Sequence, residues 1–181
     1  MTWDKNFLLG TELENFIKDY LFEVFGWEFV AGTVNGEVVN KEFIEKTFYC
    51  CFLSPRKGRG PKLIFSDGEQ VSMPDLLLKS KNNLLFWVES KASNKSDYNS
   101  IDIEENKLNE YFIIKEKTNK PVWIIISVVE EDLCMLYAGR IQDLLNGGEK
   151  INNLFWGKIV RRYDLSNENI HVLTKYPIKY K

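Results

Sequence analysis

The chain has 181 residues, with 24 Lys and Arg against 26 Asp and Glu, for a formal net charge of −2. Hydrophobic residues make up 44% and aromatics 14%, which excludes a disordered chain and suits a single domain over residues 1–181 with a substantial core. A pI of about 5.6 excludes a protein held to nucleic acid by its overall charge, so such binding must rest on a local basic patch or on a partner.

Apolar residues at helical spacing (Leu13, Phe16, Ile17, Tyr20, Leu21, Val24 and Phe25) predict a helix over 11–25, with Gly26 as its stop signal. Residues 27–52 read as β structure: Trp27 to Val30, an Asn35-Gly36 hairpin turn, then Phe48 to Phe52. Lys41 to Lys46 is either a helical turn or the start of that last strand. Residues 54–62, Ser-Pro-Arg-Lys-Gly-Arg-Gly-Pro-Lys, form a loop broken by prolines and glycines. Leu63 to Phe65, an Asp67-Gly68 turn and a strand running into Pro74-Asp75 follow. Leu76 to Leu78 and Leu84 to Val88 are two further apolar strand segments. Residues 92–102 are polar and read as a mobile connection. Residues 103–117 read as a helix ended by Pro121, and Val122 to Val129 as an apolar strand buried on both faces. Leu133 to Ala138 is a strand, and Arg140 to Asn146 a short helix closed by Gly147-Gly148. Beyond Phe155, strands are expected near 158–163 and 170–174. The expected fold is α/β: a central mixed sheet flanked by helices, with a core of about 10–145 and a β extension over about 150–181.

No apolar run approaches the roughly 18 residues of a membrane span, and Met1-Thr2-Trp3-Asp4-Lys5 lacks the basic and apolar regions of a signal peptide. No membrane partner is expected. The three cysteines, Cys50, Cys51 and Cys134, are odd in number and badly spaced for a disulfide framework, which points to a reducing cytoplasm. His171 is the single histidine and reads as a surface or strand residue. Its isolation argues against zinc and against Ser-His-Asp or Cys-His catalysis.

The chemistry is concentrated in Pro74-Asp75 and in Glu89-Ser90-Lys91, the latter at the close of an apolar strand. Glu89 and Lys91 are two apart on a strand and so share a face. If the two strands pair, Asp75 and Glu89 converge on one hard cation. Two carboxylates suit Mg²⁺ or Mn²⁺, which otherwise keep water and phosphate oxygens. Lys91 would then lie beside the metal-bound water and the phosphate. The Ser90 side chain points away, but its backbone carbonyl is a candidate third ligand. A second Glu-x-Lys, Glu105-Asn106-Lys107, lies in a polar helical segment and reads as a solvated helix face.

These residues resemble the signature of the PD-(D/E)XK nuclease superfamily, which has the restriction-endonuclease and Holliday-resolvase-like fold. The likeness extends to the order of elements over roughly residues 10–145. It implies a Mg²⁺- or Mn²⁺-dependent nuclease, foremost a DNA endonuclease, acting through Asp75, Glu89 and Lys91. It also implies a further carboxylate from the first helix, for which Glu14 fits best and Glu12 competes. Thr11-x-x-Glu14 reads equally as a capping box. Superfamily members often carry a polar residue on the helix after the motif. Lys107 is the nearest candidate, and the glutamine often found there is absent. The basic loop, with Arg56, Lys57, Arg59 and Lys62, is either a phosphate-backbone contact or an ordinary solvated loop. The strand aromatics from Phe48 to Phe52, with Trp87, read as core. Two other readings stand beside the nuclease: a nuclease-fold protein that only binds nucleic acid or a partner, and an RNA endonuclease. The latter type usually has a histidine upstream of the Pro-Asp, and there is none here. The near-neutral charge leaves room for a homodimer.

Overall fold

Helical spacing of apolar residues shapes the first element, α1 (Trp3–Phe25). The computed structural model describes residues 3–53, 60–94, 100–153 and 157–179, with the side chains of 3–11 and of Asn94 outside that set. Leu13, Ile17 and Leu21 are fully buried, one per helical turn, and such burial stabilises by about 1.5–3 kcal/mol per side chain. Gly26, at φ 66°, ends α1 in a left-handed conformation, and its N–H donates to Phe22 O at 2.8 Å. α1 begins well before residue 11, so Thr11 and Glu14 lie inside the helix. A capping box formed by the two is therefore excluded.

β1 (Glu28–Val34) and β2 (Glu37–Val39) form the expected hairpin. Asn35 and Gly36 have φ of 53° and 83°, as a type I′ turn requires. Lys41–Phe48 is α2, a helix rather than the start of a strand. Tyr49 ends it in a left-handed conformation, so β3 is only Cys50–Leu53. β3, β4 (Lys62–Phe65) and β5 (Gln70–Ser72) make a small antiparallel sheet. Phe48 and Trp87 are core residues, but Tyr49 is 84% exposed, contrary to its expected place in the interior.

β6 (Leu76–Lys79) and β7 (Leu85–Asn94) pair antiparallel. β7 continues through residues expected to be a polar connection, and β8 (Ser100–Glu104) follows. Their polar side chains alternate with buried Ile101 and Ile103, a period of two that marks a half-buried strand. After α3 (Glu105–Thr118) comes β9 (Val122–Glu130), which pairs parallel with β7. β10 (Leu133–Arg140), α4 (Ile141–Asn146), β11 (Glu149–Asn153), β12 (Lys158–Asp164), β13 (His171–Val172) and β14 (Ile178–Lys179) complete the described chain.

The protein is thus α/β. An eight-stranded mixed sheet has the order β13-β10-β9-β7-β6-β1-β2, with β14 also on β10. β12 pairs with β11 on one side and β8 on the other, and β13 and β14 join the main sheet on β10. One face of the main sheet packs against α1 through Leu76, Leu78, Phe86 and Val88. The other carries Leu77 and Trp87 and packs against Leu108, Tyr111 and Ile114 of α3. Among the described residues no helix is long and apolar enough to cross a membrane.

Candidate active site

The pairing of β6 with β7 matches Leu77 to Trp87 and Leu76 to Val88. One residue further along this register sets Asp75 opposite Glu89. Alternation then puts Asp75, Glu89 and Lys91 on the α3 face, with Leu77 and Trp87. Asp75 is held there by the Ser90 N–H, which donates to its Oδ2 at 2.7 Å, and by its own carbonyl, which accepts from Thr33 N–H at 2.7 Å. Gly32, at φ 145°, makes that approach feasible: a Cβ there would meet Asp75 O at 2.3 Å.

Glu89 is 5% exposed, a rare setting for a carboxylate without partners. It has two. Lys91 Nζ lies 2.6 Å from its Oε1, and the Tyr111 phenol of α3 sits close enough for the Glu89 charge to act on its titration. The Lys91 side chain remains 36% exposed, so the ammonium bridges a buried carboxylate and open space. Burial alone would pull the Lys91 ammonium down. The charges of Glu89, Asp75 and Glu104 more than offset that and hold it above the ordinary lysine range.

Burial pushes the Asp75 carboxyl well up, and repulsion from Glu89 and Glu14 adds to it, against the Ser90 N–H and Lys91. Glu14 is raised for the same reasons, burial first and the Glu89 charge second, with Lys91 opposing. Glu14 is half-buried and flanked by the core residue Leu13, whereas Glu12 is exposed. Of the two helix carboxylates, Glu14 is therefore the one coupled to the cluster. Burial and the charges of Glu89 and Asp75 hold the Tyr111 phenol well above its usual range, so it stays protonated.

Tyr111 was not a candidate from the sequence. An aromatic among Leu108, Phe112 and Ile114 on a helix reads as core, and it is core by burial. The one available signal is its hydroxyl, since a buried tyrosine needs a partner. Lys107 sits elsewhere, donating to Ser72 Oγ at 2.5 Å and to Glu110 Oε2 at 3.1 Å. Lys62 opens β4 as a half-buried residue, while Arg56, Lys57 and Arg59 lie outside the described residues. Glu105 is not on a solvated face: its side chain is 14% exposed and pairs with Lys150 at 2.9 Å and Arg161 at 3.0 Å.

A cleft of about 860 Å³ opens beside Lys91, lined among others by Ser93, Ser100, Asp102, Arg162 and Asp164. Arg162 is committed to Asp102 through two bonds of 2.7 Å. The cleft therefore mixes both signs of charge. Among the described residues no group of three or more His, Cys, Asp or Glu is placed to hold a metal ion. What the residues offer is an open pair, Asp75 and Glu89, with Glu14 electrostatically coupled to both. Oxygen donors in that number suit an ion that keeps water and takes the rest of its ligands from phosphate. No protein-family model matches the chain, and no curated protein matches it.

Proposed function

We propose that the protein is a metal-dependent nuclease of the PD-(D/E)XK type with a restriction-endonuclease-like core, foremost a DNA endonuclease. The observation that carries this is the register of β6 and β7, which sets Asp75 opposite Glu89 with Lys91 on the same face. Asp75 and Glu89 would hold Mg²⁺ or Mn²⁺, with the Ser90 carbonyl and Glu14 as further or outer ligands. When bound, such an ion lowers the pKa of its water and offsets charge on the scissile phosphate.

The chain's own residues have distinct parts. The Ser90 N–H fixes the Asp75 carboxylate. Tyr111 and Lys91 orient Glu89. The Lys91 ammonium, reaching open space, is positioned to orient an attacking water and stabilise negative charge on a phosphoryl oxygen. Affinity for the strand would come from local cations, with the loop bearing Arg56, Lys57 and Arg59 as one contributor and a homodimer or partner as another.

One observation favours a second reading, a nuclease-fold protein that binds without cutting: Lys91 occupies Oε1 of Glu89 at 2.6 Å. Incubation with duplex, junction and single-stranded DNA and with RNA, in Mg²⁺, Mn²⁺ or EDTA, separates the readings. The nuclease reading expects metal-dependent cleavage, lost in Lys91→Ala. DNA cut faster than RNA supports the endonuclease as stated, and the reverse makes it an RNA enzyme. Equal cleavage by wild type and Lys91→Ala removes Lys91 from the chemistry.

A further inference from the structure

A second concavity, about 310 Å³, lies where α3 ends and β9 begins. Its wall includes Lys115, Asn119, Lys120, Trp123, Arg140 and Gln142, and no carboxylate lines it among the described residues. In a chain of net charge −2, a hollow with three cations and no acid is a local reversal of sign. Arg140 and Trp123 are partners across β10 and β9, and the Arg140 guanidinium lies 5.1 Å from the Trp123 ring centroid. A cation–π contact of this kind holds the guanidinium near the ring without using its N–H donors. Arg140 and Lys120 make no ion pair among the described residues. Lys115 is shared with the Phe112 ring at 5.1 Å and with Glu116 Oε1 at 2.5 Å.

Helix chemistry accounts for only part of this. A lysine in the last turn of α3 complements the carbonyl end of the helix, which explains Lys115. It does not explain Arg140, delivered from a different element and carrying no anionic partner among the described residues. Tyr111, which contacts the carboxylate cluster, and Asn119 are eight residues apart on α3, or about 12 Å along a helix. The hollow is therefore separate from the Asp75–Glu89 pair.

We propose that this hollow binds a phosphate group, with Arg140 as the fork and Lys120 and Lys115 as supporting cations. A planar guanidinium with free donors is the side chain best matched to phosphate oxygens. The phosphate belongs either to a nucleic-acid strand or to a small phosphorylated molecule.

The test uses the full chain in EDTA, so cleavage plays no part and failure here leaves the nuclease reading standing. Inorganic phosphate, a nucleoside 5′-monophosphate, and oligonucleotides with a 5′-phosphate or a 5′-hydroxyl are titrated in turn. The Trp123 indole N–H shift is followed by NMR. Binding is expected to weaken about tenfold in Arg140→Glu or Lys120→Glu and less in Arg140→Lys, which keeps the charge but not the fork. Lys46→Glu, at an exposed position of α2, is the control for general charge. Binding of the small probes identifies a phosphorylated small molecule, and binding of oligonucleotides alone identifies a strand. Dependence on the 5′-phosphate narrows the latter to a strand end. The proposal is overturned if no probe shifts Trp123, if Arg140→Glu and Lys120→Glu bind as wild type does, or if Lys46→Glu weakens binding equally.

Discussion

The chain carries the same three-residue pattern twice, and the two copies behave differently. Glu89-Ser90-Lys91 sits on β7, the central strand between β6 and β9, and faces Asp75. Its Glu is 5% exposed, and its Lys bridges that carboxylate to open space. Glu105-Asn106-Lys107 opens α3. There Glu105 is matched by Lys150 and Arg161, and Lys107 is turned to Ser72 and Glu110. Two residues apart on a strand means one shared face, whereas on a helix it means divergence by about 200°. The first copy concentrates negative charge that the protein leaves in excess. The second balances it with two cations, stitching the β8-β11-β12 sheet to the start of α3.

The largest expected contrast is in catalysis. Lys91→Ala should reduce cleavage by about a hundredfold or more, the scale of removing one transition-state donor, while Lys107→Ala should stay within about threefold. Comparable losses from both would erase the distinction between the copies.

Tyr111→Phe comes next. It keeps the core volume but removes the hydroxyl that orients Glu89. The expected outcome is about tenfold weaker metal affinity, as for other groups that orient a ligand, with a melting temperature near wild type. Unchanged metal affinity would reduce Tyr111 to a packing residue.

Asp75→Asn sharpens the comparison through stability. The Asp75 carboxyl is raised in the folded protein, so the folded state holds its proton more tightly than the unfolded state does. Its contribution is then fully present below the unfolded pKa and is lost as pH rises through the folded one. Without divalent metal, Asp75→Asn should be more stable than wild type at neutral pH, and the gap should close as pH falls below the ordinary carboxylate range. Denaturant midpoints across pH measure this, and a variant less stable at neutral pH would contradict it. Asn can still accept from the Ser90 N–H.

The smallest effect belongs to the second copy. Lys150 and Arg161 hold the Glu105 carboxyl below the usual range. That contribution is present above the unfolded pKa and lost as pH falls through the folded one. Glu105→Gln should lower the melting temperature slightly at neutral pH, lose that deficit in acid, and leave cleavage rates unaltered.

What was legible in the sequence follows the same physics. Asp75, Glu89 and Lys91 border continuous apolar runs, and strand alternation alone places Glu89 and Lys91 on one face, while Asp75 joins them through the register of β6 with β7. The Asn35-Gly36 turn and Gly26 stop are local chemistry, readable without neighbours. β8 and β11 were hidden because they are short and polar on one side, and become strands only by pairing with β12. The first turns of α1 contain Asn6 and Gly10, weak helix formers that mask the start. Tyr111 was hidden because its apolar ring announces the core while its hydroxyl announces nothing until Glu89 is beside it. The partners of Glu105 come from β11 and β12, more than forty residues later, a distance no helical periodicity conveys.

The nuclease reading stands or falls on whether Asp75 and Glu89 together hold a divalent cation. Calorimetric titration of Mn²⁺ into the wild type, Asp75→Asn and Lys107→Ala tests it most directly. Saturable binding to the wild type and to Lys107→Ala is expected, with loss of that binding in Asp75→Asn. Absence of binding to the wild type, or binding of equal strength to Asp75→Asn, would contradict that reading.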